Sequence, residues 1–322
     1  MTTQRKNVQK LVVLGVLTLL AVIAFLTIDV NISNPKFFRF SMQLRVPKLL
    51  AMLVAAFAIG AASIVFQSVI NNTIVTPCLL GMNALYTLIH TLVYFVFGSA
   101  SLLARNSNLS FLVDLLIMGT VATFIYGYLF KKTNYNVLYV LLIGTVLSSL
   151  FGSIQSTMVR VMDPNEYDEL LETLVASFDN VHGEIILAGV VILGAMIFLL
   201  RKDIALLDVI TLGKNQAINL GVDYDRTIRR LLIGVTVCIA VATAMVGPIS
   251  FLGLILANLA RQLMKTYRHT QLMLASALIG MVVLVAGQCL VEHVFAFAVP
   301  VSVFITIGGG VYFLFLLLRQ RR

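Results

Sequence analysis

Apolar residues form long continuous runs along the chain, from Leu11 almost to the last residue, and short polar segments separate the runs. A helix needs roughly 20 apolar residues to cross a hydrocarbon core about 30 Å thick. Runs of that length predict about ten spans, at residues 11–30, 48–70, 78–97, 111–130, 137–160, 181–200, 230–247, 250–266, 271–290 and 301–318. The strands of a membrane barrel would be shorter and would alternate apolar with polar residues. The pattern therefore predicts an all-α polytopic membrane protein in which residues 1–322 form a single transmembrane domain.

The amino-acid composition agrees with this prediction and leaves little room for a soluble domain. Hydrophobic residues make up 60% of the chain and charged residues 11%. A soluble domain of similar size carries roughly a quarter charged residues, which cover its surface in water. We therefore expect a multi-pass integral membrane protein.

Basic residues are unevenly divided between the two sides of the predicted bundle. With the N-terminus in the cytoplasm, seventeen of the 23 Lys and Arg residues lie on the cytoplasmic side and six on the outer side. The positive-inside rule then predicts that both termini are cytoplasmic, which requires an even number of spans. Because the basic residues sit at span ends, where they meet anionic headgroups, the net charge of +9 predicts contact with membrane lipid and not with nucleic acid.

Residues that could support catalysis or hold a cofactor do not form a recognisable motif. Cys78, Cys238 and Cys289 lack metal-binding or redox spacing, and the four histidines are scattered, so we predict no metal site and no cofactor. The chain has no phosphate-binding loop and no hydrolase motif, so we do not expect an enzyme. Carboxylates within the spans are nearly absent, with Asp114 and Glu184 the nearest candidates. Energy for any uphill transport must therefore come from another subunit.

The longest loop on the predicted cytoplasmic side covers about residues 201–229. It contains two short helical patterns, 204–210 and 216–220, with Gly213 and Gly221 at positions that suit helix C-caps. Two short helices joined by glycine predict a compact knob. The pattern alone leaves open whether this knob lies at the headgroups or docks on a cytoplasmic partner.

The fifth span carries a stripe of small polar residues. Ser149, Ser153 and Ser156 share one helix face because they lie four and three residues apart. Serine hydroxyls in a helix can bond back to their own backbone, so the stripe is compatible with a purely structural role. It is equally compatible with a water-accessible path.

Two loops on the predicted outer side are strongly charged. An acidic loop covers about residues 161–180, and it either forms a solvated cap or helps to admit cargo. A basic cluster of Lys36, Arg39, Arg45 and Lys48 lies there against the positive-inside trend. The cluster favours either an acidic partner outside the cell or side chains that reach the headgroups.

Five segments, in the order of the chain, resemble the motifs of one transporter family. The family is that of the membrane permeases of bacterial ABC importers for iron–siderophore complexes, haem and vitamin B12, called FecCD or BtuC-like. The matching segments are Arg45–Lys48 (R-x-P-R), Gln67–Gly81 (Q-x(4)-N-x(4)-P-x-LLG), Leu141–Ser149 (LLLAG-x-x-LS), Leu212–Val222 (LG-x-x-QA-x-x-LGV) and Gly247–Arg261 (GPIGF-x-GL-x-x-PH-x-AR). Each segment alone is a weak signal, but the five occur in the right order, and the resemblance runs from about Arg45 to the C-terminus, which is most of the chain.

The resemblance implies a role for each matching segment. Arg45 and Lys48 correspond to basic residues that contact acidic groups of an extracellular or periplasmic substrate-binding (lipo)protein. The positions that correspond to the family's ATPase-coupling helices are Leu212, Gly213, Gln216, Ala217, Leu220 and Gly221. Those that correspond to the translocation path and its cytoplasmic constriction are Asn72, Pro77, Asn83, Ser149, Ser153 and Ser156.

The resemblance also implies the assembly and the function. A type II importer fold of about ten helices would pair with a second permease, identical or paralogous, and with two copies of a cytoplasmic ABC ATPase. The expected function is alternating-access import of iron(III)–siderophore complexes, in the style of permeases for petrobactin or other catecholates. Haem or cobalamin import remains an alternative within the family, and a self-contained secondary transporter or channel remains one outside it.

The chain departs from the family pattern at three places. Ala257-Asn258 stands where the family usually has Pro-His, and Gly308-Gly309-Gly310 stands for its late Gly-Ala-Pro segment. A further basic docking residue of the vitamin B12 importer falls near Val291, which Glu292 and His293 follow. The last departure argues against cobalamin as the cargo.

Overall fold

The computed structural model describes residues 3–30, 34–132, 137–179, 181–296 and 299–320, and over these residues it contains helices and no strands. The helices are α1 (Thr3–Thr27), α2 (Pro35–Ile70), α3 (Met82–Phe97), α4 (Leu102–Arg105), α5 (Ser107–Lys132), α6 (Val137–Val159), α7 (Pro164–Leu174), α8 (Gly183–Ile210), α9 (Lys214–Asn219), α10 (Tyr224–Val246), α11 (Leu252–Leu263), α12 (His269–His293) and α13 (Val301–Gln320). A 3-10 turn, Pro77–Leu80, precedes α3.

The apolar helices coincide with the predicted spans. Six described helices are long and apolar enough to cross a membrane, namely α1, α2, α6, α8, α10 and α12. Four shorter apolar helices, within α3, α5, α11 and α13, match the remaining runs. The predicted all-helical membrane fold is thereby confirmed, and α4, α7 and α9 are short connecting helices between the spans.

Side-chain contacts define two ends of the bundle. At one end, Lys10 of α1 donates to the carbonyl of Leu263 at 2.6 Å, and Asp208 of α8 accepts from the backbone N–H of His269 at 2.9 Å. We call this the α9 end, because α9 follows α8 there. At the opposite end, the α7 end, Lys48 of α2 pairs with Asp179 in the link between α7 and α8. The side of the membrane that each end faces stays a prediction.

Helix α2 forms the centre of the bundle and packs most extensively against α12 and α10. Its small residues allow this close approach, since a Cβ atom on Gly60 would lie 3.0 Å from the Ser276 hydroxyl and 3.1 Å from the Ala277 nitrogen. The Ser276 hydroxyl donates to the Gly60 carbonyl at 3.1 Å. The core consists mainly of apolar side chains from α2, α10, α11 and α12, and α1, α3, α5, α8 and α13 add further residues to it. By contrast, only 6% of the apolar window of α6 is buried.

Helices α2 and α8 extend well beyond their predicted spans. The sequence predicts a second span from residue 48, with Pro47 just before it, but α2 begins at Pro35 and passes through Pro47. Asn34 caps the helix by accepting a hydrogen bond from the Lys36 N–H, and Pro35 suits the first helical position. Its 36 residues make a helix of about 54 Å, which exceeds a hydrocarbon core of about 30 Å. The predicted short helix at 204–210 is likewise the last part of α8.

The turn between α10 and α11 depends on glycine. Gly247 has φ +84°, and a Cβ atom there would lie 2.8 Å from the Cα of Ala176. The carbonyl of Val246 accepts a hydrogen bond from the Ser177 N–H at 3.0 Å, which fixes the two segments together.

We expect Gly247→Ala to destabilise the protein by about 1–3 kcal/mol, because it combines left-handed backbone strain with a backbone clash. The measurement is the thermal unfolding midpoint in detergent. Gly194→Ala is the matched control, since a Cβ atom there meets nothing within 4 Å and lies inside α8. Equal midpoints for the two variants would contradict the prediction.

Candidate functional site

The residues of the predicted coupling segment form a compact knob, which we define as residues 211–222. Gly213, with φ +104°, precedes α9, and Gly221, with φ +82°, follows it. The N–H of Val222 donates to the carbonyl of Ala217 at 3.0 Å, and Ala217 is fully buried. A side chain at Gly213 would meet the Gln216 side-chain oxygen at 2.9 Å, so only glycine fits this turn without a shift.

The knob exposes three large apolar side chains among its polar residues. Leu212 is 56% exposed, Ile218 is 51% exposed and Leu220 is 63% exposed, although each lies in a short polar segment outside the long apolar runs. The motif identified Leu212 and Leu220, and it missed Ile218. The available signal for Ile218 was a large apolar side chain within the mainly polar segment Lys214–Asn219. Exposed apolar side chains on a rigid projection are typical of a protein-binding surface.

Ion pairs and capping interactions connect the knob to the bundle. Lys214 pairs with Asp225 at 2.9 Å, and the Asp223 side chain caps α10 by accepting from the Arg226 N–H at 3.2 Å. Asp208, three residues before the knob, accepts from the N–H of His269 at the start of α12. These contacts join the knob to α10 and the end of α8 to the start of α12.

A second group of polar residues at the α9 end holds the irregular segment 71–76. The carbonyl of Thr73 accepts from Gln67 Nε2 at 2.8 Å and from Asn258 Nδ2 at 2.9 Å. Arg261, one turn after Asn258 on α11, donates to the Ser68 hydroxyl at 2.8 Å. We call Gln67, Asn258 and Arg261 the α11 clamp, because together they fasten the end of α2 and segment 71–76 to α11.

The predicted constriction residues lie along this held segment. Asn72 accepts from the Ile74 N–H at 2.9 Å through its side chain, and Pro77 opens the 3-10 turn. Asn83, in the first turn of α3, contacts the Ser250 hydroxyl at 3.5 Å. Asn72 and Pro77 thus lie between α2 and α3, and Asn83 follows in the first turn of α3. The sequence did not predict the role of the α11 clamp in holding this region.

The serine stripe of α6 is exposed along its length. Ser153 donates to the Ser149 carbonyl at 2.8 Å, and Ser149 donates to the Thr145 carbonyl at 3.1 Å, so both hydroxyl protons are satisfied within the helix. Their oxygens still face outward as acceptors. Ser156 lies on the same exposed face. Exposed apolar residues run beside the stripe, namely Leu142, Val146, Leu150 and Ile154.

The two predicted docking residues are both engaged within the chain. Arg45 donates from one guanidinium nitrogen to the carbonyls of Phe25 and Ile28, at 2.6 Å and 2.7 Å, and so caps the C-terminus of α1. Lys48, one turn further along α2, pairs with Asp179 and lies 3.9 Å from Glu292 of α12. At the α7 end, Arg45 therefore bonds to backbone carbonyls and Lys48 pairs with acidic residues of the same chain.

One buried ionisable pair lies apart from these sites. His90 of α3 contacts Asp114 of α5 at 2.9 Å, and both are buried. They border a cavity of about 490 Å³ whose rim carries Glu169 and Glu172 of α7. The sequence identified Asp114 as a carboxylate within a span but did not predict its partner. Among the described residues, no group of three His, Cys, Asp or Glu side chains has the geometry to hold a metal ion.

Comparison with known proteins gives a consistent result along the whole chain. The sequence profile of the FecCD transport family matches residues 6–319. The petrobactin import system permease protein YclO of Bacillus subtilis (strain 168) is 39% identical over 284 residues, which cover 88% of this chain and 90% of that protein. The petrobactin import system permease protein FatC of Bacillus anthracis is 31% identical over 314 residues, which cover 97% and 87%.

A solved structure has the same fold. It is described as an inward-facing conformation of a metal-chelate type ABC transporter, and it superposes with a TM-score of 0.83 at 22% sequence identity. The match covers 97% of this chain and 99% of that chain.

Proposed function

The chain belongs to the FecCD transport family, and we propose that it is the membrane permease subunit of an ATP-driven importer of ferric siderophore complexes. The two Bacillus relatives are petrobactin import permeases, which supports an iron siderophore as the cargo. The observation that carries the proposal is the knob at residues 211–222, because a rigid apolar projection suits a groove in a separate ATP-hydrolysing subunit.

The proposed orientation sets the α9 end in the cytoplasm and the α7 end outside. The basic excess of the sequence supports it, since Lys10 near the N-terminus and the knob lie at the α9 end, and Tyr312 of α13 accepts from Gln262 near the same end. Two copies of the ATPase would then bind two knobs, one on each permease. Nucleotide binding would draw the ATPases together and displace α8, α10 and α12 through the contacts of Asp208, Lys214 and Asp223.

The second permease would lie against the exposed face of α6. The apolar residues of that face, Leu142, Val146, Leu150 and Ile154, offer packing to a partner, whereas the neighbouring serine oxygens offer weak polar contacts to a passing chelate. Weak and distributed contacts suit transport, because a deep binding site would retain the cargo. The second subunit would be identical or paralogous.

The α7 end would receive the cargo from a substrate-binding protein outside the cell. Arg45 and Lys48 are the proposed docking residues. Charge pairs at such a surface mainly determine the encounter rate and the relative orientation of the partners. The chelate would then pass along α6 towards segment 71–76, which the α11 clamp holds at the cytoplasmic end.

The test is uptake into proteoliposomes that contain the complete transporter, with ATP inside and the loaded binding protein outside. We expect accumulation of iron-55 supplied as ferric petrobactin, dependent on both ATP and the ATPase. Faster accumulation of haem or cobalamin would replace the proposed cargo within the same fold. Uphill transport of the ferric chelate by this chain alone would instead indicate a secondary transporter and would refute the proposal.

A further inference from the structure

Lys48 joins three separate elements at the α7 end. It belongs to α2, whereas Asp179 lies in the link between α7 and α8 and Glu292 lies in the last turn of α12. Its side chain is 18% exposed, so it is sheltered within the bundle without being closed off from solvent. One cation thus faces two carboxylates of its own chain.

The two carboxylates differ in how easily they can leave Lys48. The Glu292 side chain is 8% exposed and accepts a hydrogen bond from Gln288 at 3.1 Å, so its position in α12 is fixed. The Asp179 side chain also accepts a hydrogen bond, from the Ser177 hydroxyl at 3.1 Å, but it is 44% exposed and can be hydrated when it separates from Lys48. Exposed ion pairs contribute little net free energy, since water stabilises the separated charges almost as well. Asp179 is therefore the exchangeable partner.

The position of Asp179 is linked to the packing of the surrounding helices. Its neighbour Ser177 donates from its backbone N–H to the Val246 carbonyl at 3.0 Å, at the turn between α10 and α11. The hydroxyl of Ser302, in α13, donates to the Ala176 carbonyl at 3.1 Å. The ion pair between Lys48 and Asp179 consequently ties α2 to a link that also contacts α10 and α13.

Arg45 has no carboxylate partner to exchange among the described contacts. One of its guanidinium nitrogens caps the C-terminus of α1, where it donates to carbonyls that have no hydrogen-bond donor within the helix. A guanidinium group has five N–H donors, so Arg45 can contact a partner without giving up the cap. Lys48 has a compact ammonium group, and a carboxylate from outside must compete for it with the acids already there.

We propose that docking of the substrate-binding protein is an ion-pair exchange, in which a carboxylate of that protein displaces Asp179 from Lys48 and releases the link between α7 and α8. This inference rests on the proposed function and deepens it by assigning a regulatory role to Asp179. Lys48 keeps one salt bridge throughout the exchange. Its partner changes from Asp179, in the link between α7 and α8, to a carboxylate of the substrate-binding protein. Docking is thereby coupled to opening of the α7 end, while Glu292 holds Lys48 in place.

The proposal predicts a gain of affinity from the loss of an acid. Asp179→Asn removes the competing charge and keeps the side-chain size, so the complete transporter in lipid nanodiscs should bind the loaded binding protein about three- to tenfold more tightly. The gain should disappear in the Lys48→Met background, because the two residues act as one unit. The measurement is the equilibrium dissociation constant from biolayer interferometry at low salt.

A matched control separates the exchange from the general charge of this surface. Asp168→Asn removes an exposed acid of α7 outside this ion pair, and it should change the dissociation constant less than about twofold. Asp179→Glu keeps the charge and should bind like the wild type, which together with unchanged thermal midpoints checks that the link is folded.

Each outcome decides the proposal. Unchanged or weaker binding by Asp179→Asn, an equal gain in Asp168→Asn, or a gain that survives Lys48→Met would overturn the exchange. If the wild-type transporter neither binds the loaded protein nor takes up its iron, the proposed function itself fails. Normal docking and uptake with no effect of Asp179 would refute the exchange alone.

Discussion

Replacing Leu220 by glutamate is expected to detach the ATP-hydrolysing subunit and to lower iron uptake about tenfold or more. Leu220 is the most exposed apolar residue of the knob, and Ile218 and Leu212 are its other exposed apolar residues. In a desolvated groove of the ATP-hydrolysing subunit, the glutamate would not make the apolar contacts of Leu220, and its charge would be buried without a partner. Interface residues of this kind commonly contribute about 2 kcal/mol or more, which corresponds to at least a thirtyfold loss of affinity.

The measurement is co-purification of the ATPase with the tagged permease, followed by uptake in proteoliposomes. Asn215→Glu is the matched control, because it adds the same charge to exposed α9 without removing apolar surface. It should retain most of the ATPase. Full co-purification and full uptake with Leu220→Glu would show that the knob is not the ATPase contact.

The spans could be predicted from the sequence because the bilayer imposes its own length and polarity on each helix. Their ends could not be predicted equally well. The sequence predicts that a loop begins at Arg201, but α8 continues through Lys202 and Asp203 to Ile210. The helix continues because its backbone hydrogen bonds remain favourable in water and charged residues are tolerated in a helix. Asp203 is even buried, 3.8 Å from Arg230 of α10.

The interactions that hold the candidate site together could not be predicted for a different reason. Asn258 and Thr73 are 185 residues apart, and no periodicity in either segment indicates that they meet. The same holds for Lys48 and its partners Asp179 and Glu292. The sequence motif drew attention to Asn258 only as a departure from Pro-His, whereas its contact with the Thr73 carbonyl gives that departure a physical role.

Removing the amide donors of the α11 clamp is expected to release segment 71–76. In the double variant Gln67→Leu/Asn258→Leu, the Thr73 carbonyl loses both of its side-chain donors while the side-chain volumes stay similar. Each such hydrogen bond contributes about 0.5–1.5 kcal/mol net, so the equilibrium between held and released segments should shift roughly five- to 150-fold. Uptake should fall by about tenfold.

Cys78, in the adjoining 3-10 turn, provides a direct readout of this release. With Cys238 and Cys289 replaced by alanine, Cys78 is the single thiol of the chain, and its labelling rate in the assembled transporter should rise about tenfold in the double variant. The single variant Asn258→His replaces the amide donor with a ring N–H donor, so Cys78 should be labelled as slowly as in the parent protein. Gln262→Leu is the control, because that amide lies on the same helix but donates to the Tyr312 hydroxyl at 3.0 Å. Because the proposed ATPase contact is the knob and not this clamp, co-purification should stay normal while uptake falls. Equal labelling rates with normal uptake would mean that segment 71–76 is held by its own turn and not by α11.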